Sequence, residues 1–368
     1  MERENPYSIN KLHGGNVLTG GGLKSGLIDF SSSINPFGPG GPALKILKNP
    51  KLARQFCENY PEPYPLELSE SLSALHNLPE ENFFLGAGST DIIFSLFGVL
   101  KPGMAIIAEP SFAEYERAAR FNGSAVSRVN TNYGNNFSLA GKSLDLLMDI
   151  LSGGKKGDSL FIANPSNPAG ALTPRATLKK ILEVTEKKGI YLVLDESFMD
   201  FCEEFSIKDL AGNCKYLIIL RSLTKFYAMP GLRVGYMISN KKITSRFLKT
   251  VIPWKITGLA SAFARASIGD RGFADDTIKK INKNKTDLFN KLTGIKNLQT
   301  FPGAANFLLV RIKDRKTKSS ELKDYLLRSG ILIRNCENFH GLDGAYFRVS
   351  VKKKGENDFL IKKLREFF

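Results

Sequence analysis

The chain has 368 residues, of which 42% are hydrophobic and 24% are charged, and its 52 lysine and arginine residues exceed its 36 aspartate and glutamate residues by 16. This length predicts about two or three domains, and the composition is that of an ordinary soluble globular protein. The start lacks the apolar core of a signal peptide, and no apolar run approaches the roughly 18 residues of a membrane span. We therefore expect a cytoplasmic protein with no membrane partner.

The net charge of +16 suggests nucleic-acid binding, since a basic surface attracts phosphate whatever the base sequence. The lysines, however, are spread along helical stretches such as "TIKKINKNKTDLFNKL", where they alternate with apolar residues as on solvated helix faces. We expect no nucleic-acid partner, while small anionic substrates are compatible with the charge. The four cysteines lie far apart and form no CxxC pair, which argues against a disulfide framework and a metal site.

The predicted elements follow a clear order along the chain. The first 50 residues are rich in glycine, proline and serine and are predicted to form an irregular arm. From about residue 66, helical stretches alternate with apolar runs such as "MAIIAEP", "SLFIANP" and "IYLVLDES"; this pattern predicts a mostly parallel sheet covered on both faces. After about residue 257, lysine-rich helices and a few strands predict a smaller α+β domain. The predicted divisions are the arm at 1–50, a large domain at 51–256 and a small domain at 257–368.

Three predicted strands end in residues suited to ligand binding, because ligands of α/β sheets gather at the carboxyl ends of strands. In "GAGST", Gly88 allows close backbone approach, and the amides of Ser89 and Thr90 would face an anion from a helix N-terminus. "NPSNPAG" is a rigid turn suited to aiming Asn167 at a ligand, and "YLVLDES" places Asp195 at the mouth of a buried strand. Each stretch has a plainer interpretation, as a turn, a helix cap or a salt-bridge partner.

Lys225 lies in the stretch "RSLTKFYAMPGLRVGY", after a strand and among apolar and aromatic residues. A lysine held in an apolar pocket has a lowered pKa, and its neutral amine can attack a carbonyl carbon. Pyridoxal phosphate requires a lysine that forms an imine, an acid for its ring nitrogen and a cradle for its phosphate. Lys225, Asp195 and the "GAGST" turn, together with Ser222 and Arg233, meet these three requirements.

The stretches "SLTKFYAMPGLRVGY", "NPSNPAG" and "VLDES" resemble the fold type I pyridoxal-phosphate enzymes of the aminotransferase superfamily, over essentially the whole chain. The resemblance implies an α/β fold whose large domain has a mostly parallel seven-stranded sheet. It implies that Lys225 binds the cofactor covalently, that Asp195 contacts the ring nitrogen and that Asn167 contacts the ring hydroxyl. Phe112 of "EPSFAEY" would stack on the ring. The residues implied for the cofactor phosphate are Gly88, Ser89, Thr90, Ser222 and Arg233.

Tyr60 of "NYPEPY" is similar to a tyrosine that reaches the cofactor phosphate across a dimer interface in this family. This similarity implies a homodimer with shared active sites. Phe198 departs from the family pattern, since many relatives have a tyrosine there that also bonds the ring hydroxyl. Asn167 is therefore expected to act without that partner.

Two subfamilies fit most of these motifs, the histidinol-phosphate aminotransferases and the threonine-phosphate decarboxylases of cobalamin biosynthesis. The stretches "HGGN", "FAEYERA" and "RNCENFHGLD" resemble the decarboxylases, as does Ile34, where the aminotransferases usually have an acid before Asn-Pro. The resemblance implies decarboxylation of threonine phosphate, with Lys225 as the proton donor to the substrate carbon. The predicted substrate-binding residues are His13, Gly14, Gly15, Asn16, Asn35, Asn167, Arg334 and Arg348.

Other functions are compatible with the same motifs. Serine phosphate lacks one methyl group of threonine phosphate, and an apolar pocket discriminates one methyl group by only about 1 to 3 kcal/mol. Transamination of histidinol phosphate would use the same cofactor residues. A noncatalytic anion- or nucleic-acid-binding protein is the alternative from another class, because a fold alone does not establish chemistry.

Overall fold

A computed structural model describes residues 14–15, 26–314 and 316–368. His13 and Asn16, two of the predicted substrate-binding residues, lie outside the described residues. Within the described ranges, no helix combines the length and apolar character needed to cross a bilayer. The strands are β1 (Ile28–Asp29), β2 (Phe83–Gly86), β3 (Met104–Glu109), β4 (Ala125–Asn130), β5 (Ser159–Ala163), β6 (Tyr191–Asp195), β7 (Leu217–Ser222), β8 (Gly235–Ser239), β9 (Leu298–Thr300), β10 (Phe307–Ile312), β11 (Ile331–Leu332), β12 (Arg334–Asn335) and β13 (Tyr346–Ser350). The helices are α1 (Gly41–Leu47), α2 (Pro50–Glu58), α3 (Leu66–His76), α4 (Ser89–Leu100), α5 (Glu114–Phe121), α6 (Lys142–Gly153), α7 (Arg175–Lys188), α8 (Leu223–Phe226), α9 (Lys241–Leu248), α10 (Gly258–Ile268), α11 (Arg271–Thr293), α12 (Ser319–Arg328) and α13 (Lys354–Phe367).

The largest sheet among the described residues has seven strands in the order β2-β8-β7-β6-β5-β3-β4. Its central strands β5, β6 and β7 are parallel neighbours. They consist almost entirely of buried residues, as expected for strands that are covered on both faces. β8 runs antiparallel to its neighbours β2 and β7. The predicted α/β fold class with a mostly parallel seven-stranded sheet is confirmed.

The alternation of side chains along β6 determines which residues face the candidate site. Leu192 and Leu194 pack into the core on one face of the sheet, and Val193 packs into the core on the other face. The next two residues continue this alternation. Asp195 lies on the same face of the sheet as Val193, where it contacts Tyr115, and Glu196 lies on the opposite face, where it contacts Ile207. The end of β6 therefore presents one carboxylate to each face of the sheet.

The smaller sheets join the beginning of the described chain to its end. A four-stranded antiparallel sheet has the order β12-β13-β10-β9, and β1 pairs in parallel with β11. The sequence predicts little core for the first 50 residues, yet Phe30 is fully buried. The backbone N–H of Asn35 also donates to the carbonyl oxygen of Lys225 at 3.0 Å. This segment therefore reaches the candidate site, while the domain boundaries themselves stay a prediction.

A buried ion pair ties the end of β6 to the end of β7. Arg221 Nη2 lies 2.8 Å from Glu196 Oε2, and both side chains are fully buried. Replacing Glu196 with glutamine removes one of the two carboxylates that Arg221 contacts, while Glu203 keeps two hydrogen bonds to the guanidinium. We expect the free energy of unfolding, measured in urea, to fall by about 2 kcal/mol, the cost of one hydrogen bond to a charged group. The control is Glu81→Gln, which removes the exposed partner of Lys241 and should cost less than about 1 kcal/mol; equal losses would contradict the prediction.

Candidate active site

The turn between β2 and α4 has the geometry of an anion-binding site. Gly88 precedes α4 with a φ of 91°, a conformation that favours glycine. The amides of Ser89 and Thr90 open the helix and have no partner within it. A Cβ on Gly88 would lie 2.7 Å from Arg233 Nη2, and a Cβ on Gly235 would lie 2.6 Å from Ser89 N. The two glycines therefore make room for the turn and for the guanidinium group beside it, a cradle that fits a phosphate.

Lys225 lies in the short helix α8, directly after β7. Its Nζ donates to the hydroxyl oxygen of Thr224 at 2.8 Å, and that oxygen is 2.8 Å from Ser222 Oγ. Burial lowers the pKa of Lys225 to about 8, and the positive charges of Arg233 and Arg348 act in the same direction. The neutral amine is therefore accessible at mildly alkaline pH, as an imine-forming lysine requires.

This lowered pKa predicts how the rate of cofactor incorporation depends on pH. The neutral amine is the form that attacks an aldehyde, so the rate for the apoenzyme should rise with pH up to about 8 and then level off. An unperturbed lysine would keep the rate rising to about pH 10.4. Stopped-flow absorbance after mixing with pyridoxal phosphate measures the profile. A simple alkylamine in place of the protein controls for titration of the aldehyde itself, and a protein profile that follows the alkylamine profile would refute the prediction.

Asp195 is held by hydrogen bonds to both of its carboxylate oxygens. Oδ1 accepts from the backbone N–H of Ser197 at 2.9 Å, and Oδ2 accepts from the hydroxyl of Tyr115 at 2.5 Å. The carboxylate is 7% exposed and lines the same cavity as Lys225. It is suited to stabilise a protonated ring nitrogen, because it is an acceptor whose orientation is fixed by two donors. The sequence did not indicate Tyr115, although it lies three positions after Phe112.

The other predicted ring contacts line this cavity too. Phe112 precedes α5 and Asn167 follows β5. The side-chain oxygen of Asn167 accepts a hydrogen bond from Arg348, which links the predicted ring-hydroxyl contact to the predicted substrate side. Phe198 packs edge to face against Phe307, with ring centroids 4.9 Å apart. The departure at position 198 therefore replaces a hydroxyl donor with an apolar wall.

Two arginines of the four-stranded sheet line the cavity from the other side. Arg348 of β13 is buried; its Nη2 donates to the carbonyl oxygen of Ser31 at 2.8 Å, and its guanidinium lies 4.8 Å from the centroid of the Phe307 ring. Burial lowers the pKa of Arg348 to about 10, so the group remains charged at neutral pH. Arg334 is paired with Arg348 across β12 and β13, and its guanidinium lies 5.0 Å from the centroid of the Phe339 ring. Two cations therefore stand side by side.

The two described glycines of the "HGGN" stretch pack against Ser31. The backbone N–H of Gly15 donates to Ser31 Oγ at 2.9 Å, and a Cβ on Gly14 would lie 2.5 Å from the Ser31 carbonyl oxygen. This carbonyl oxygen is the one that accepts from Arg348. Both glycines therefore lie on the arginine side of the cavity, which they line.

Most of the predicted site residues meet at a cavity of about 650 Å³ and at a smaller one of about 90 Å³ that shares Lys225 with it. The predicted residues that line one or both are Gly14, Gly15, Ser89, Thr90, Phe112, Asn167, Asp195, Ser222, Lys225, Arg233, Arg334 and Arg348. A cradle for phosphate, a lysine with a lowered pKa and an oriented carboxylate fit pyridoxal phosphate. The individual contacts with cofactor and substrate stay predictions.

Three of the described predicted residues, Gly88, Asn35 and Tyr60, do not line either cavity. Gly88 lies beside Arg233 in the turn before α4. Asn35 is buried behind Lys225, and its side-chain amide donates to the carbonyl oxygen of Phe226 at 2.9 Å; its neighbour Ile34 lines the cavity instead. Tyr60 is 84% exposed on the outer surface, where its ring centroid is 5.2 Å from that of Trp254. In a single chain, Asn35 is placed to support the backbone near Lys225, and Tyr60 is not placed at its own chain's site.

Arg117 of α5 is a cation of the larger cavity that the sequence did not indicate. Its Nη1 is 2.8 Å from Glu114 Oε2, and its guanidinium is 5.6 Å from the centroid of the Phe94 ring. In the sequence, an arginine of an amphipathic helix is typical of a solvated surface. Its contribution to the cavity depends on how α5 packs, which no local pattern shows.

Comparison with known proteins agrees with this arrangement. Residues 25–364 match the family model of the class I and II aminotransferases. The chain belongs to the class I and II aminotransferase family. The predicted family is therefore confirmed, and so are the predicted cofactor, pyridoxal 5'-phosphate, and the prediction that the chain is an enzyme, because the enzymes of this family use that cofactor.

Members of the aminotransferase family with two different activities are similar to the chain. The threonine-phosphate decarboxylase of Salmonella typhimurium is 33% identical over 97% of this chain and 96% of the relative. The structure of the L-threonine-O-3-phosphate decarboxylase from Porphyromonas gingivalis has a TM-score of 0.79 at 27% identity and covers 92% of this chain and 98% of its own. The structure of the histidinol-phosphate aminotransferase from Clostridium acetobutylicum has a TM-score of 0.84 at 28% identity, with coverages of 93% and 99%. Family membership alone therefore does not determine which of the two reactions the chain catalyses.

Proposed function

We propose that the chain decarboxylates an amino acid phosphate ester, with L-threonine O-3-phosphate as substrate and (R)-1-amino-2-propanol O-2-phosphate as product. Such a product supplies the amino alcohol linker of cobalamin. The observation that carries the proposal is the concentration of cations in the larger cavity, which Lys225, Arg117, Arg233, Arg334 and Arg348 line. The similarity to the decarboxylase of Salmonella typhimurium over nearly the whole chain supports the same reaction.

Bound cofactor and substrate bring three anionic groups to these cations. The cofactor phosphate is assigned to the turn before α4 and to Arg233, which lies against that turn. Arg348 is assigned to the substrate carboxylate, because its hydrogen bond with Asn167 places it beside the predicted ring contact. Arg334 and Arg117 are assigned to the ester phosphate, in addition to the contacts that they make with Asn338 and Glu114. A substrate with an anion at each end can pair with the buried Arg348 and with the partly exposed Arg334 at once, whereas a substrate with one anion can pair with only one of them.

The protein residues select the reaction by fixing both ends of the substrate. Pyridoxal phosphate, when bound, would supply an electron sink for the bond that breaks at the substrate Cα. Arg348 on the carboxylate and Arg334 on the phosphate would fix the orientation of the substrate and thereby select which bond at Cα breaks. Asp195, fixed by its two donors, stabilises the positive charge of the ring nitrogen. Lys225 would deliver a proton to Cα after carbon dioxide departs.

Transamination is the second candidate function, favoured by the similarity to the histidinol-phosphate aminotransferase structure. An amino acceptor such as 2-oxoglutarate also has an anion at each end and would satisfy the same arginines. The two reactions differ in what leaves the substrate. Decarboxylation releases carbon dioxide and needs no acceptor, whereas transamination moves the amino group to an acceptor and keeps every carbon.

One experiment separates these functions. The purified holoenzyme is incubated with threonine phosphate, with serine phosphate, and with histidinol phosphate plus 2-oxoglutarate, while carbon dioxide is measured and products are identified by mass spectrometry. We expect carbon dioxide and aminopropanol phosphate from threonine phosphate without any acceptor. Glutamate formation without carbon dioxide would overturn the proposal. Equal kcat/KM for serine phosphate would widen the substrate to both esters.

We also propose that the chain acts as a homodimer. Tyr60 is 84% exposed, Ile252 63% and Trp254 50% in the single chain, and an exposed group of large apolar side chains is typical of an interaction surface. A second copy that covers this surface would place Tyr60 near the partner's site. Sedimentation velocity measures the mass in solution, and a monomer at all concentrations would contradict the proposal. Localisation in the cytoplasm stays a prediction.

A further inference from the structure

Asp195 receives its two hydrogen bonds from different parts of the fold. Ser197 donates to Oδ1 through its backbone N–H at 2.9 Å, from the turn that follows β6. Tyr115 donates to Oδ2 through its hydroxyl at 2.5 Å, from helix α5. A carboxylate with one donor on each oxygen cannot rotate freely. The Tyr115 hydroxyl is therefore the contact that ties Asp195 to a separate element.

Packing on two sides holds the ring of Tyr115 in place. The side chain is 1% exposed and stacks on Phe161, with centroids 5.3 Å apart and planes inclined by 26°. It also meets Phe112 edge to face at 5.9 Å. Burial and the charge of Asp195 raise the pKa of Tyr115 well above its usual value, so the phenol keeps its proton and acts as a donor. Tyr115 thus touches two predicted cofactor contacts at once.

We propose that Tyr115 is a positioning residue, whose hydroxyl fixes the orientation of the Asp195 carboxylate toward the ring nitrogen of pyridoxal phosphate. The proposal rests on the proposed role of Asp195. Both residues line the smaller cavity, beside Lys225. Loss of the hydroxyl leaves Oδ2 without its donor and frees the carboxylate to rotate. The hold on the protonated ring is then weaker.

A purely structural role for Tyr115 predicts different behaviour. Its ring packs against Phe161 and Phe112, and a phenylalanine at position 115 retains that packing while it removes the hydroxyl alone. If Tyr115 had only a structural role, the Tyr115→Phe variant would have a lower Tm and would bind the cofactor as the wild type does. A positioning residue would change the affinity and the spectrum of the bound cofactor.

The test compares Tyr115→Phe with Tyr236→Phe in the full chain. Tyr236 is equally buried, and its hydroxyl lies 2.6 Å from His76 Nε2. Neither Tyr236 nor His76 lines either cavity. The two variants therefore lose the same kind of buried hydrogen bond. The measurements are the Kd of pyridoxal phosphate for the apoenzyme, the pH midpoint of the visible absorption of the holoenzyme, and the Tm of the apoenzyme.

We expect Tyr115→Phe to raise the Kd of pyridoxal phosphate by about tenfold and to shift the absorption midpoint. Tyr236→Phe should lower the Tm and leave both cofactor measurements at wild-type values. A Tyr115→Phe variant that matches Tyr236→Phe in all three measurements would overturn the proposal. Asp195→Asn separates failure of this proposal from failure of the proposed role of Asp195. If Asp195→Asn binds pyridoxal phosphate more weakly while Tyr115→Phe binds it as the wild type does, only the role of Tyr115 is refuted. If both variants bind it as the wild type does, the proposed role of Asp195 is refuted as well.

Discussion

Replacing Lys225 with alanine is expected to lower the rate of amine formation from threonine phosphate by roughly 10⁴-fold or more. The amine of Lys225 has two tasks in the proposed reaction, covalent attachment of the cofactor and proton delivery to the substrate carbon. Thr224 accepts a hydrogen bond from that amine and Ser222 contacts Thr224, but neither hydroxyl can form the covalent bond in its stead. Product formation under saturating substrate and cofactor measures the loss.

The matched control for this prediction is Lys241→Ala. Lys241 is an exposed lysine whose Nζ is 2.8 Å from Glu81 Oε2, so its loss removes one positive charge far from the cavity. The control should keep the wild-type rate. Mass spectrometry of borohydride-reduced and digested holoenzyme gives a second readout, since the peptide with Lys225 should carry the mass of the reduced cofactor. An unmodified Lys225 peptide, or a Lys225→Ala variant with near-normal rate, would contradict the prediction.

The centre of the fold could be predicted because it depends on short-range patterns. The runs that form β5, β6 and β7 are nearly continuous in apolar residues, and burial on both faces leaves few other arrangements for them. The direction of β8 could not be predicted in this way. An apolar run has the same composition in either direction, and the antiparallel pairing of β8 with β7 follows from a connection that contains only the short helix α8 and a turn rather than a long crossover helix.

In the candidate site, too, the residues that could be predicted are those that a local sequence pattern indicates. Asp195 and Lys225 could be predicted because Asp195 ends an apolar strand and Lys225 comes three residues after another, and Gly88 because it directly precedes a helix in a glycine-containing turn. Tyr115 and Arg117 could not, because both lie on an amphipathic helix and acquire their roles from side chains distant in sequence. For Asn35 the sequence predicted a contact that the single chain does not provide. Its motif predicted substrate binding, but its side-chain amide donates to the carbonyl oxygen of Phe226.

Arg348→Lys is expected to lower kcat/KM for threonine phosphate by roughly 10²-fold to 10³-fold. The guanidinium of Arg348 donates to both Asn167 and the Ser31 carbonyl. The single ammonium nitrogen of a lysine cannot keep both contacts and still bind a carboxylate. Each lost hydrogen bond to a charged group costs about 1.5 to 3 kcal/mol. The Kd of pyridoxal phosphate should change little, because the cofactor phosphate is assigned to the turn before α4. Steady-state kinetics and cofactor titration together measure this split.

Arg311→Lys provides the matched control for the arginine prediction. Arg311 lies on β10, the strand that pairs with β13, and its guanidinium is 5.1 Å from the centroid of the Tyr133 ring, away from the residues that line the cavity. The same chemical change one strand away should therefore leave kcat/KM within about threefold of wild type, because rim contacts of this kind contribute little. Equal losses in the two variants would show that any arginine of this sheet is needed for folding. A large rise in the Kd of pyridoxal phosphate in Arg348→Lys alone would instead show that Arg348 supports the cofactor, directly or through Asn167, since binding of the cofactor involves no substrate anion.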